Sequence, residues 1–98
     1  MFVKIIKSYR DIVAICDSDL LGKVFEEGKF QLEVKESFYR GDELSGEETS
    51  AIINKMVRED ATFNIVGKES ISLALKHGLI KEEGIKEIQG IPFAMVLM

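Results

Sequence analysis

The chain has 98 residues, 46% hydrophobic and 31% charged, with a formal net charge of −4 and a single cysteine. That length holds one domain with one modest core, and the composition is that of a folded globular chain, not a disordered one. An internal disulfide is excluded, and no apolar run approaches the roughly 18 residues of a membrane span. The lone Cys16 and an N-terminus, MFVKIIKSYR, without a small-residue cleavage site point to a reducing, cytoplasmic setting with no membrane partner. The acidic surplus argues against bulk electrostatic attraction to nucleic acid and leaves only a local basic patch for that role.

In chain order, residues 2–7 and 12–16 are predicted as strands, and the short link between them favours an antiparallel hairpin. Cys16 is then a small buried apolar residue. Asp17, Ser18 and Asp19 offer N-caps for a helix that carries Leu20, Leu21, Val24 and Phe25 on one face and stops at Gly28. Phe30, Leu32 and Val34 alternate with polar residues, the period of a half-exposed strand. That strand is expected to continue through Phe38 and Tyr39, with a bulge near Glu36 and Ser37, to a turn at Arg40-Gly41-Asp42. Ser45-Gly46-Glu47-Glu48 has the form of a capping box, and the helix it opens presents Ile52, Ile53, Met56 and Val57 on one side.

Residues 61–78, ATFNIVGKESISLALKHG, then read as a strand, a glycine turn and a helix. Thr62, Phe63, Ile65 and Val66 suit a buried strand, Gly67 allows the turn, and Ile71, Ala74 and Leu75 recur at helical spacing. Glu69 lies in the first turn and Lys76 and His77 in the last, as the helix dipole favours, with Gly78 as the stop. A short strand at 85–88 and a continuous apolar tail at 93–98 complete the chain. That tail is too apolar for an exposed edge, so a central or interface strand is expected. The order ββαβαβαββ describes an α/β (α+β) single domain over residues 1–98, a two-layer sandwich of one mixed sheet and about three helices.

The glycine-lysine turns supply the candidate binding residues. Backbone amides at the helix start after Gly67, with Lys68 beside them and Asn64 just upstream, form a candidate anion site. It lacks the paired glycines of a phosphate loop. Lys23 and Arg40 add charge, and Tyr39 adds a surface on which a base could stack. One histidine and one cysteine, distant in sequence, provide neither a zinc site nor a Cys–His nucleophile, so no metal and no cofactor is expected. The sequential carboxylate pairs at 26–27, 47–48 and 82–83 lie in polar ends, and no enzyme signature is legible.

The segments LLGK at 20–23, EG at 27–28, FYRG at 38–41, NIVGKES at 64–70 and GIP at 90–92 together resemble an archaeal family known as domain of unknown function 424. The resemblance spans most of the chain, implies a compact α/β two-layer domain and brings no established activity. In the family's pattern the last motif continues after the proline with a histidine and a glutamine. Phe93 and Met95 stand there in this chain, which counts against any enzyme that depends on that histidine. The expected function is a non-enzymatic binding module, associated with translation, for RNA or another phosphate-bearing ligand. It requires Lys23, Arg40, Asn64, Gly67 and Lys68 to converge on one face. The alternatives are a protein-interaction or homodimerising domain that uses the apolar tail, and an enzyme that grips a phosphorylated small molecule at Gly67.

Overall fold

The structure, a computed structural model, describes residues 1–97. Strands β1 (Phe2–Ile6) and β2 (Ile12–Cys16) pair antiparallel from Phe2↔Cys16 to Ile6↔Ile12, as the short link predicts. A 3-10 turn at Ser18–Leu20 leads into a hairpin of β3 (Val24–Glu27) and β4 (Phe30–Glu33). One turn of helix, α1 (Glu36–Tyr39), precedes the two-residue β5 (Asp42–Glu43) and the long α2 (Gly46–Arg58). Then come β6 (Thr62–Val66), α3 (Lys68–Lys76), a 3-10 turn at Glu82–Gly84, β7 (Lys86–Ile88) and β8 (Ile91–Val96). Among the described residues the fold is a mixed α+β domain with three helices, a six-stranded mixed sheet in the order β5-β1-β2-β6-β8-β7, and the two-stranded sheet β3-β4. Only β2 and β6 run parallel within the large sheet.

Strand alternation sends every second side chain to the same face, and this sheet buries both. On one face, Ile53 and Met56 of α2 and Ile71 and Ala74 of α3 pack on Val3, Val13, Ile15, Phe63 and Ile65. Phe63 is fully buried there, which alone contributes roughly 2–3 kcal/mol. On the other face, Leu20, Val34, Phe38 and Tyr39, with Phe25 and Leu32 of the hairpin, lie on Ala14, Cys16, Val66 and Phe93. This partial layer of hairpin and α1 stops short of the sheet's far end, where Met95 remains 62% exposed. No helix among the described residues is long and apolar enough to cross a membrane.

Two segments depart from their expected structure. Residues 20–28 are not a helix. Gly22 has a φ of +83°, outside any helix interior, and the chain bonds to the strand downstream instead of to itself. The Gly22 amide donates to the Val34 carbonyl at 2.7 Å, and the Val34 amide to the Lys23 carbonyl at 2.9 Å. Val24 and Phe25, at a spacing that also suits a helical stripe, sit opposite Glu33 and Leu32 across the hairpin, where β-branched and aromatic residues are favoured.

The strand expected through Phe38 and Tyr39 ends instead at Glu33, and both residues belong to α1. A strand would send these adjacent rings to opposite faces. One helical turn lets both reach the sheet, where they meet edge to face at 5.0 Å.

Other expectations hold. β8 lies between β6 and β7, the interior position its apolar run predicts, while Met98 of the expected tail is outside the described residues. α3 ends in a Schellman motif, with the Leu79 amide on the Ala74 carbonyl at 2.9 Å and the Gly78 amide on that of Leu75 at 3.0 Å. Beside it, His77 Nε2 meets Ser50 Oγ at 2.7 Å and joins α3 to α2.

The capping box is complete. Glu48 N donates to Ser45 Oγ at 3.1 Å, and Ser45 N donates to Glu48 Oε1 at 3.0 Å. The Ser45 backbone amide, and then its side chain, hold the Glu48 carboxyl below the usual carboxylate range. A depressed folded pKa contributes stability that is present above the unfolded value and lost as pH falls through the folded one. Glu48→Ala is therefore expected to lower the melting temperature at neutral pH and to flatten the acid side of its pH profile. An unchanged acid limb in that variant would show the box to be energetically idle.

Candidate functional site

The glycine turn between β6 and α3 proves to be occupied from within. Asp17, at the end of β2, is 6% exposed and sends its carboxylate under the first turn of α3. Oδ2 accepts from the Glu69 amide at 3.0 Å, and Oδ1 accepts from the Ser70 amide at 2.8 Å and the Ser70 hydroxyl at 2.7 Å. The positive end of the helix thus has its anion, a carboxylate of the same chain. Asp17 does act as an N-cap, as its residue type predicts, but for a helix 52 residues downstream instead of the next one.

Gly67 makes this approach possible. A Cβ there would lie 2.3 Å from the Asp17 carboxyl carbon, and the residue's φ of +110° is one that side-chain-bearing residues rarely adopt. Two of the amides expected to grip an external phosphate, those of Glu69 and Ser70, are therefore engaged by the chain's own carboxylate, and the turn at Gly67 serves as a structural clamp.

The remaining candidates separate. Lys23 belongs to the hairpin layer and Lys68 to the helical layer, with the sheet between them, so the expected single patch does not assemble. Arg40 is held by Glu36, with Nε and Nη2 on Oε1 at 3.0 and 2.9 Å, and its guanidinium lies 5.9 Å from the Phe2 ring centre. Tyr39 is only 7% exposed and offers no open stacking face.

Tyr39 and Asn64 do come together, in a cavity of about 380 Å³ between the open end of the sheet and the β3-β4 hairpin. Leu32, Phe93 and Met95 supply apolar walls, and Lys86 of β7 stands among them. The register explains the convergence. Asn64 faces Met95, Val66 faces Phe93 and Phe93 faces Lys86, so alternate residues of three adjacent strands share this face.

Neither the Asn64 amide nor the Tyr39 hydroxyl has a hydrogen-bond partner among the described residues. Among the described residues no side-chain polar atom is both buried and unsatisfied, so both groups keep contact with solvent, and both residues line the cavity. Burial, and then the neighbouring Cys16, push the Tyr39 hydroxyl up to about 12, and it stays a proton donor at neutral pH. Burial, followed by Asp17, pushes the Cys16 thiol up to about 11, as suits a packed, unreactive residue. The lining includes a lysine and no carboxylate, although the chain as a whole is acidic.

Sequence reasoning placed Asn64 and Tyr39 among the candidates but passed over Leu32 and Lys86. Phe93 and Met95, where the chain departs from the resembled pattern, both line the cavity. The signal that could have found Lys86 is its polar place in a strand beside the apolar β8. Among the described residues no group of three or more histidine, cysteine or carboxylate side chains could hold a metal ion.

A family model described as "Protein of unknown function (DUF424)" matches residues 6–98. The structure is similar to the crystal structure of an uncharacterized conserved protein from Methanopyrus kandleri, with a TM-score of 0.85 and 24% identity over 99% of this chain and 92% of that one. At that identity the likeness speaks for the fold alone. No curated protein matches.

Removing the clamp gives a direct check. Asp17→Ala leaves two helix-start amides and a buried hydroxyl without their acceptor, and is expected to lower unfolding free energy by roughly 2–3 kcal/mol in urea. A loss below about 0.5 kcal/mol, the range of surface substitutions, would contradict the clamp.

Proposed function

We propose that this chain, which belongs to the DUF424 family of proteins of unknown function, is a non-enzymatic binding module that holds a base of single-stranded RNA in the cavity under the β3-β4 hairpin. The observation that carries the reading is the pairing of an unpartnered Asn64 amide with aromatic and apolar walls and a lysine, in a lining free of carboxylates. Bases are recognised in single strands by stacking on apolar or aromatic faces and by hydrogen bonds to their edges, with the phosphate met by a cation. Phe93 and Leu32 supply the faces, Asn64 the edge and Lys86 the cation. An asparagine amide can both donate and accept, which matches the edge of adenine. At about 380 Å³ the cavity has the size of small-ligand sites.

Binding without chemistry is supported by the same lining, which holds no histidine, cysteine or carboxylate beside Tyr39 and Lys86. The enzyme alternative relied on free amides after Gly67, and Asp17 has those of Glu69 and Ser70. Association with translation accords with an RNA ligand.

Fluorescence anisotropy with labelled hexa-adenylate tests the proposal. Lys86→Ala and Asn64→Ala are each expected to weaken binding about tenfold, while Lys68→Ala leaves it unchanged. Loss of binding on Lys68→Ala, or no binding to the parent protein, would overturn it.

The far end of β8 favours a second reading, self-association. Met95 and Leu97 are 62% and 74% exposed on the open end of the sheet. The sheet's own edges, acidic β5 and three-residue β7, are too short and charged to pair with another copy, so a dimer would form face to face. Sedimentation equilibrium decides between the readings. A monomer is expected from the first, and a dimer abolished by Met95→Glu would establish the second.

A further inference from the structure

We infer that the site continues across β7 into a second base-binding position, so that its ligand is a run of at least two nucleotides. This rests on the nucleobase reading above and deepens it. Beyond Lys86 and Phe93 lies a second hollow of about 230 Å³, which those same two residues share with the first cavity. Its outer wall is Phe30, an aromatic ring left 73% exposed at the tip of the β3-β4 hairpin. Burial normally claims a ring of that size, and here the hairpin carries it out over the sheet edge beside Ile88.

Phe30 is held there by the turn between β7 and β8. Gln89 adopts a left-handed φ of +51°, uncommon for a residue with a side chain. Its backbone amide donates to Glu27 Oε1 at 2.9 Å, and its side-chain amide donates to the Glu26 carbonyl. Both bonds tie the hairpin tip to β7, so the second aromatic surface is positioned before any ligand arrives, which lowers the ordering cost of binding. Two carboxylates line this hollow, Glu27 and Glu87, and Glu27 is engaged by the Gln89 amide.

Lys86 stands between the two hollows and makes no ion pair among the described residues. A dinucleotide would place one base in each hollow and its linking phosphate at this lysine. The second aromatic hollow therefore selects a short single strand over a free mononucleotide, and one phosphate contact predicts only a shallow salt dependence.

Adenosine monophosphate, the dinucleotide ApA and hexa-adenylate should be compared by titration calorimetry against the parent protein, Phe30→Ala and Phe30→Tyr. The parent is expected to bind ApA at least tenfold more tightly than the monophosphate. Phe30→Ala should lose that gain, a fall of about 5- to 150-fold by the worth of one stacked base, and leave the monophosphate unaffected. Phe30→Tyr should restore it. Because Phe30 is exposed, its removal does not threaten the core.

Equal affinity for monophosphate and ApA, or an equal effect of Phe30→Ala on both, would overturn the second position while the first stands. Absence of binding by all three ligands would overturn both.

Discussion

The architecture depends on a single carboxylate placed under a helix. Asp17 closes β2 and caps α3, and its own amide donates to the Val66 carbonyl at 3.0 Å, where β6 ends. Gly67, which lets the carboxylate in, donates its amide to the Pro92 carbonyl of β8 at 2.8 Å. Three neighbouring strands and a helix are therefore tied within a few residues of one another. That tie fixes where α3 starts, and so which face of the sheet it covers. Helix-dipole capping of this kind is worth more in a partly buried setting than on the surface, because water and salt screen it less.

The same tie directs function away from the turn. A lysine beside a glycine at a helix start has the appearance of an anion site, yet the internal anion fills the polar end of α3 and leaves Lys68 on an open surface. With both long helices on one face, the other is covered only as far as one hairpin and one helical turn can reach. The uncovered remainder is where Asn64, Phe93 and Lys86 meet solvent. An acidic chain can present such a place to a phosphate because no carboxylate lines that cavity, and local potential counts for more than net charge at short range.

Local patterns made most of the fold legible. The β1-β2 hairpin, the Ser45–Glu48 box, the strand at Thr62–Val66 and the stop at Gly78 rest on interactions within a few residues, and each stands where the pattern indicates. The two failures came where distant contacts overrule spacing. Val24 and Phe25 take strand partners that the helical stripe conceals, and Phe38-Tyr39 coils because both rings have a sheet to cover. At the site, Asn64 and Tyr39 were visible as residue types in suggestive company. Their meeting with Leu32 and Lys86 was not, because strand order places β8, and β7 with it, beside the distant β6, while the β3-β4 hairpin folds over from early in the chain. Asp17 shows the difference most clearly, since its role as a cap was readable but the helix it caps lay more than half the chain away.

The central claim is that the open sheet cavity, and not the Gly67 turn, is the ligand site. The most direct test is a two-dimensional nitrogen-edited NMR titration of the isotope-labelled protein with adenylate. The account predicts shifts in the Asn64 side-chain amide pair and in the backbone signals of Leu32, Lys86 and Phe93, while Lys68, Glu69 and Ser70 stay in place. Shifts concentrated at Lys68–Ser70, with the Asn64 pair unmoved, would contradict it and return the site to the start of α3.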